Sequence, residues 1–172
     1  QDFSSLAFFE KEYLRLAHPL SMAFVLQQAR LGEFSAGFER AFVERAQDCC
    51  AKLRAGDFTE GAKGLNGLGF GFTPSGDDFI CGLLLASHFL PRGAWREEVF
   101  AAVGSSNPVS RAAFESAYRG RACEAVKKLI TDLAAGNVPD NSLKAALGLG
   151  STSGADFLAG FLFVLKEMAD DN

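Results

Sequence analysis

Two eight-residue stretches match in one register 78 positions apart: Ser75-Gly-Asp-Asp-Phe-Ile-Cys-Gly82 and Ser153-Gly-Ala-Asp-Phe-Leu-Ala-Gly160. They share Ser, Gly, Asp, Phe and Gly, and each opens a strongly apolar stretch. Only two copies exist and the sequence between them differs, which excludes a short-period solenoid and predicts a pseudo-symmetric pair of helix starts. Capping explains part of the pattern. Ser75-x-x-Asp78 and Ser153-x-x-Asp156 fit a capping box, and an acid in the first turn suits the helix dipole. Capping does not explain the glycines. Gly76 and Gly154 stand just inside the expected helices, where each costs about 1 kcal/mol relative to alanine. Gly82 and Gly160 follow Asp78 and Asp156 by four residues and so share a helix face with them. Small residues there let two helices, or a ligand and a backbone, approach closely, so both aspartates are expected at a shared interface.

Around these two stretches the chain reads as all-α. Apolar residues at three- and four-residue spacing predict helices over about 3–16, 21–31, 34–53, 77–90, 95–103, 110–118, 123–134, 142–147 and 155–168. His18-Pro19 is expected to end the first, because a residue before proline is pushed out of the α region. Turns are expected at residues 91–93 and a loop over 104–108. The stretch 61–71 holds five glycines in eleven residues and is expected to be non-helical throughout. No alternating strand of five or more residues is visible. A length of 172 residues fits one domain, 1–172, with a core of its own.

The run Gly67-Leu-Gly-Phe-Gly71 directly precedes the first copy. Glycines let successive N–H groups turn toward one point, and the helix start behind them adds partial positive charge. The pair reads as a cradle for phosphate or carboxylate. It is not a P-loop, since no lysine follows, and not a dinucleotide fingerprint, since no strand precedes it. Asp77 and Asp78 would repel a bare anion. They fit an amide or urea-like N–H donor, or a Mg²⁺ ion.

The remaining candidates are weaker. Seventeen basic and 21 acidic residues give a net charge of −4, with no basic stripe, which argues against nucleic acid. The longest apolar run, residues 79–90, is too short to span a bilayer. No basic-then-apolar leader opens the chain, which starts at Gln1 and is expected to be a fragment or a processed form. Cys49, Cys50, Cys81 and Cys123 lack C-x-x-C spacing and read as buried thiols of a reducing cytoplasm. Cys81 alone lies where a helix start could stabilise a thiolate. His18 and His88 read as packing residues, and no Ser-His-Asp or Cys-His set is suggested. Arg119 and Arg121, flanking Gly120, are either surface arginines or a cation for a ligand's phosphate or carboxylate. Glu124 reads as a helix-charge residue.

The segment Gly67–Gly82 closely resembles the G-x-G-x-G-L-T-P-S-G-D-D-F-x-x-G signature of the AllH family. Ser110, Ala117, Gly120 and Glu124 resemble its middle element, and Gly150-Ser-Thr-Ser-Gly-Ala-Asp156 its closing one, so the likeness runs over about 61–165. The resemblance implies a subunit of oxamate carbamoyltransferase, a transferase of anaerobic allantoin breakdown and purine catabolism. That enzyme interconverts oxalurate and phosphate with oxamate and carbamoyl phosphate beside FdrA-type and AllG-type subunits.

The expectation is therefore a helical, cytoplasmic subunit that binds a small anionic substrate, works by positioning and electrostatics, and touches neither membrane nor nucleic acid. Gly69, Gly71, Thr73, Ser75 and Gly76 would hold the anion, with Ser153 and Gly154 as the second wall. Asp77, Asp78 and Asp156 would orient the amide, or Asp77 and Asp78 a Mg²⁺ ion. Two alternatives stand beside it. In one, the chain is a non-enzymatic anion-binding or scaffold subunit. In the other, both motifs are helix starts packed on each other, with aspartates satisfied by backbone N–H groups.

Overall fold

Two helices that are apolar almost all round can be stable only at the centre of a protein, and two of this chain's helices are of that kind. In the computed structural model, which describes residues 3–35, 37–90, 95–104, 107–137 and 140–167, they are α4 (Ser75–Ala86) and α9 (Ser153–Glu167). Every residue of α4 except Asp78 is buried, as are Gly154–Asp156 and Leu158–Val164 of α9. Around this pair stand α1 (Phe3–Leu16), α2 (Phe38–Arg54), α3 (Phe58–Leu65), α5 (Trp95–Ala102), α6 (Pro108–Tyr118), α7 (Glu124–Ala134) and α8 (Asp140–Leu147). The described residues contain no strand, and the fold is all-α as the periodicity predicts.

The shared glycines set how close α4 and α9 come. A Cβ on Gly82 would strike the Phe157 carbonyl oxygen, and one on Gly160 that of Phe79. Each glycine of the repeat thus receives the backbone of the other helix. The inner pair does the same with the preceding helices: a Cβ on Gly76 would strike the Leu65 carbonyl of α3, and one on Gly154 the Ala146 carbonyl of α8. The two approaches match in their bonding too. Gly76 N–H donates to Leu68 O at 2.8 Å and Gly154 N–H to Leu149 O at 2.9 Å. The molecule therefore holds two helix–turn–helix units, α3–α4 and α8–α9, crossed through their second helices.

Four expectations change. The glycine-rich stretch is partly helical: α3 runs through Gly61 and Gly64, whose bare Cα atoms admit the Leu53 and Cys49 side chains of α2. Close packing on α2 outweighs the propensity cost there. Residues 21–31 form no α-helix but two 3₁₀ turns, Met22–Val25 and Gln28–Glu33, with Ser21 as the cap of the first. The helix expected from residue 34 starts at Phe38, after Gly37 with a φ of 74°. Ser75 and Ser153 are the first helical residues rather than caps, and Pro74 occupies the cap position of α4 without a side-chain bond, so no capping box closes there. The turn at residues 91–93 and the end of the last helix at 168 lie outside the described residues, as does part of the 104–108 loop.

Replacing Gly82 or Gly160 with alanine should cost about 3 kcal/mol or more, because the new methyl meets backbone that cannot swing away. Gly32→Ala, with nothing within 4 Å, should stay within about 0.5 kcal/mol of wild type. Urea unfolding midpoints of the three variants check this.

Candidate functional site

The helix crossing exchanges the polar groups of the two motifs. Asp78 on α4 lies beside the Ser153 hydroxyl of α9, and Asp156 on α9 beside the Ser75 hydroxyl of α4. Thr73 ties the first pair together: its Oγ1 donates to Asp78 Oδ2 at 3.1 Å and sits 3.2 Å from Ser153 Oγ. Two equivalent half-sites arise from one repeat, and the rest of the chain treats them differently.

The Asp156 half-site is sealed. Its carboxylate is 0% exposed, and its Oδ1 accepts the Met22 N–H at 2.6 Å from the 3₁₀ turn that follows Pro19. Tyr13 on α1 closes the same region, its buried hydroxyl donating to Ala155 O at 2.8 Å. Asp156 Oδ2 makes no hydrogen bond of ordinary geometry. Burial pushes this carboxyl up to about 7, against the pull of the Met22 N–H and the nearby Thr152 and Ser75 hydroxyls. The neighbouring Asp78 charge adds to the rise.

The Asp78 half-site is open. Asp78, half-buried, lines a cavity of about 450 Å³ between α4, α6, α7 and α9. Ser153 and Gly154 form one wall, Ala113, Ser116 and Ala117 of α6 another, with Leu149, Val126 and Phe157 supplying apolar surface and Arg121 a cation. Burial pushes Asp78 up to about 6, while the Ser153 and Thr73 hydroxyls favour its charge and the Asp77 charge opposes it. Near neutral pH the group is thus mostly an acceptor, with a proton within easy reach.

The other expected site residues divide. Asp77, 1% exposed, spends Oδ1 on the Asn66 side-chain amide at 2.8 Å and the Gly67 N–H at 2.7 Å, and so holds the glycine loop onto α4. Its Oδ2 has no partner. Asn66 is the middle of that strut, since its Oδ1 accepts the Gly104 N–H at 3.1 Å. The glycine run does adopt left-handed backbone, with φ of 76°, 107° and 92° at Gly67, Gly69 and Gly71. Two N–H groups of the expected cradle, those of Gly67 and Gly76, are nonetheless already given to protein acceptors. Gly69 packs against Phe42 and Ser75. Gly71 and Ser75 line a separate cavity of about 270 Å³ with His18, Phe34, Glu39, Ser151 and Thr152. The larger cavity therefore gathers Asp78, Ser153 and Gly154, with Thr73 bonded to its edge, while the glycine loop faces elsewhere.

A Mg²⁺ ion fits these residues poorly. Asp77 Oδ1 already accepts two N–H donors, and among the described residues no three His, Cys, Asp or Glu side chains come together. Nor does Cys81 form a thiolate: burial and the charges of Asp78 and Asp77 push its thiol well above the usual range. Cys49 and Cys50 are buried, with Cys50 pushed up to about 12 by burial, whereas Cys123 is exposed at the head of α7, contrary to expectation. The histidines are exposed rather than packed in the core. His18 Nδ1 accepts the Leu20 N–H, and His88 Nε2 lies 2.9 Å from Tyr118 O, so each braces a turn. The notable residues missed from sequence are Asn66, which lies inside the glycine-rich stretch 61–71, and Ser116, whose approach depends on how α6 packs on α4.

Over the described residues, fold and cavity define an all-α protein with an internal two-fold repeat whose crossing borders an open, mixed-polarity cavity. The profile of the family described as oxamate carbamoyltransferase subunit AllH matches residues 65–165, more than half of the chain, and the protein belongs to that family. The matched span holds both motifs and the cavity walls from α4 to α9. No curated protein and no solved structure matches the chain. Membership makes it a subunit of an oxamate carbamoyltransferase system and implies partner subunits. No described helix is long and apolar enough to cross a membrane.

The sealed carboxylate generates a pH signature. A carboxyl raised from 3.8 to about 7 binds its proton more tightly in the folded chain than in the unfolded one. Its stabilising contribution is complete below about pH 3.8 and is lost as the pH rises through 7. Asp156→Asn keeps the carbonyl that accepts the Met22 N–H and removes the charge. It should raise the melting temperature at pH 8 by several degrees over wild type, and by clearly less at pH 5, where part of the stabilisation remains. A variant-minus-wild-type difference equal at both pH values would show that Asp156 does not titrate in this way.

Proposed function

We propose that the cavity beside Asp78 is the substrate site of a carbamoyltransferase subunit acting on small carboxylated amides, with oxalurate, oxamate and carbamoyl phosphate as the candidates. One observation carries the reading: a half-buried carboxylate, flanked by two hydroxyls, opens onto a cavity otherwise mostly apolar. Buried polar groups need partners, and a carboxylate that only accepts calls for a ligand with N–H donors. A carbamoyl or amide group supplies them.

In the direction from oxalurate, a phosphate oxygen bonds to the ureido carbonyl carbon while the bond from that carbon to nitrogen breaks. The nitrogen takes up a proton and leaves as the amide of oxamate, and carbamoyl phosphate remains. Asp78, held by Thr73 and Ser153, would orient the amide N–H groups, and its value near 6 suits proton exchange with the leaving nitrogen. Asp77 would act through the loop it ties down, and Asp156 through the placement of α9 beside Asp78. Gly69, Gly71, Thr73, Ser75 and Gly76 would shape the loop and helix start that carry Asp78. Allantoin breakdown in the cytoplasm, with FdrA-type and AllG-type partners, is the setting that fits this chemistry.

A second reading has its own support. Phe38 and Phe72 are 68% and 77% exposed beside Phe70, whose ring contacts Phe38 at 5.1 Å. An aromatic face of this kind suits a partner subunit, with the present chain as a scaffold.

Thermal-shift titration with oxamate, oxalurate, carbamoyl phosphate and phosphate separates the two. Ligand at 100 times its Kd should stabilise the chain by about 2.7 kcal/mol, a shift of several degrees. Asp78→Asn should lose at least tenfold in affinity for oxamate. Wild-type affinity should also weaken as the pH falls below about 6, where Asp78 takes a proton. A flat response on folded protein favours the scaffold.

A further inference from the structure

Arg121 lies on the wall of the Asp78 cavity, and its backbone is pinned there. Helix α6 ends in a Schellman turn, in which the Gly120 N–H donates to Ala117 O at 2.9 Å and the Arg121 N–H to Ser116 O at 2.8 Å. Gly120 takes the left-handed φ of 71° that this turn requires. The ring of His88, projecting from the 3₁₀ turn after α4, lies against Gly120, and its Nε2 donates to Tyr118 O. A turn held from both sides therefore presents the residue that follows the glycine to the cavity.

The charges around the cavity are few. Asp78 and Arg121 are the charged groups in its lining, and the Cys81 thiol stays neutral because burial raises it. Arg119, two residues earlier, pairs with Glu115 at 3.6 Å on the outer surface. Among the described residues Arg121 forms no ion pair with Asp78 or with any other acid. The cavity lining thus offers Asp78 as an acceptor for N–H groups and Arg121 as a cation whose planar fork matches a carboxylate.

We propose that Arg121 is the residue that reads the ligand's carboxylate, so that the cavity selects small molecules carrying N–H donors at one end and a carboxylate at the other. This rests on the cavity being the substrate site. Carboxylate over neutral amide is then a choice made by Arg121, and amide recognition a separate one made by Asp78.

The test compares oxamate with oxamide, in which a neutral amide replaces the carboxylate, on the wild-type chain and on Arg121→Gln, Arg121→Lys and Asp78→Asn, by calorimetric titration. Wild type should prefer oxamate by tenfold or more. Arg121→Gln should bring oxamate down to the level of oxamide and leave oxamide unchanged. Arg121→Lys, which keeps the charge and loses the fork, should fall between. Asp78→Asn should weaken both ligands and preserve the preference. If Arg121→Gln, folded by circular dichroism, keeps the wild-type preference while Asp78→Asn loses both ligands, the role of Arg121 is overturned and the site survives. If wild type binds neither ligand, both proposals fall.

Discussion

Everything in this protein is arranged around two places where a glycine receives a carbonyl oxygen. Gly82 against Phe157 and Gly160 against Phe79 bring the backbones of α4 and α9 closer than any side chain would allow. Helices packed through side chains stand 8–10 Å apart. Removing the Cβ at the contact brings each helix start within hydrogen-bond reach of the other's aspartate. That is how Ser153 comes to Asp78 and Ser75 comes near Asp156. The remaining buried surface of the two helices is apolar, including the Phe79 and Phe163 rings at 5.6 Å, so the close crossing is held by core packing along its length. The polar chemistry of the molecule is a by-product of how near two backbones can be.

Equivalent half-sites need not do equivalent work. The segment after α1 lays its 3₁₀ turn over one of them, and a single N–H from Met22 takes the Asp156 oxygen that faces it. Over the other half-site α6 and α7 stand far enough away to leave about 450 Å³. A buried carboxylate with only part of its hydrogen bonding met is costly, and Asp156 lowers the cost by holding its proton to about pH 7. Asp78 keeps access to the cavity, and its partial burial pushes it up to about 6. The same residue in the same motif thus becomes a structural acid in one copy and a chemically available one in the other, and the difference lies wholly in what covers it.

Much of this is legible in the amino-acid sequence. The repeat predicts a pseudo-symmetric pair of helix starts, and the excess glycines predict close approach of two helices or of a ligand, because capping does not account for them. The all-α fold followed from apolar spacing. What the spacing could not show was tertiary. Gly61 and Gly64 read as breakers, since their packing on Cys49 and Leu53 is invisible to local propensity. Residues 21–31 read as an α-helix, since their apolar pattern survives in two 3₁₀ turns. The glycine run read as an anion cradle, because nothing in the sequence shows that Asp77 takes the Gly67 N–H for itself. Sequence groups the site residues as one set for the same reason: it brings Asp77 and Asp78 side by side, but a helix turns successive residues about 100° apart, and of the two only Asp78 reaches the cavity.

That angular separation gives the paired acids a division of labour. Asp77 faces back toward the loop and anchors Gly67, which fixes the path by which the chain reaches Thr73. Thr73 in turn donates to Asp78 and meets Ser153, so the loop's shape is transmitted to the carboxylate that lines the larger cavity. A change at Asp77 would therefore reach the cavity without touching it, through the hydroxyl that orients Asp78. One of the motif's two aspartates is an inner strut and the other lines the cavity, and the glycines between α3 and Thr73 let the strut bend the chain sharply enough to join them.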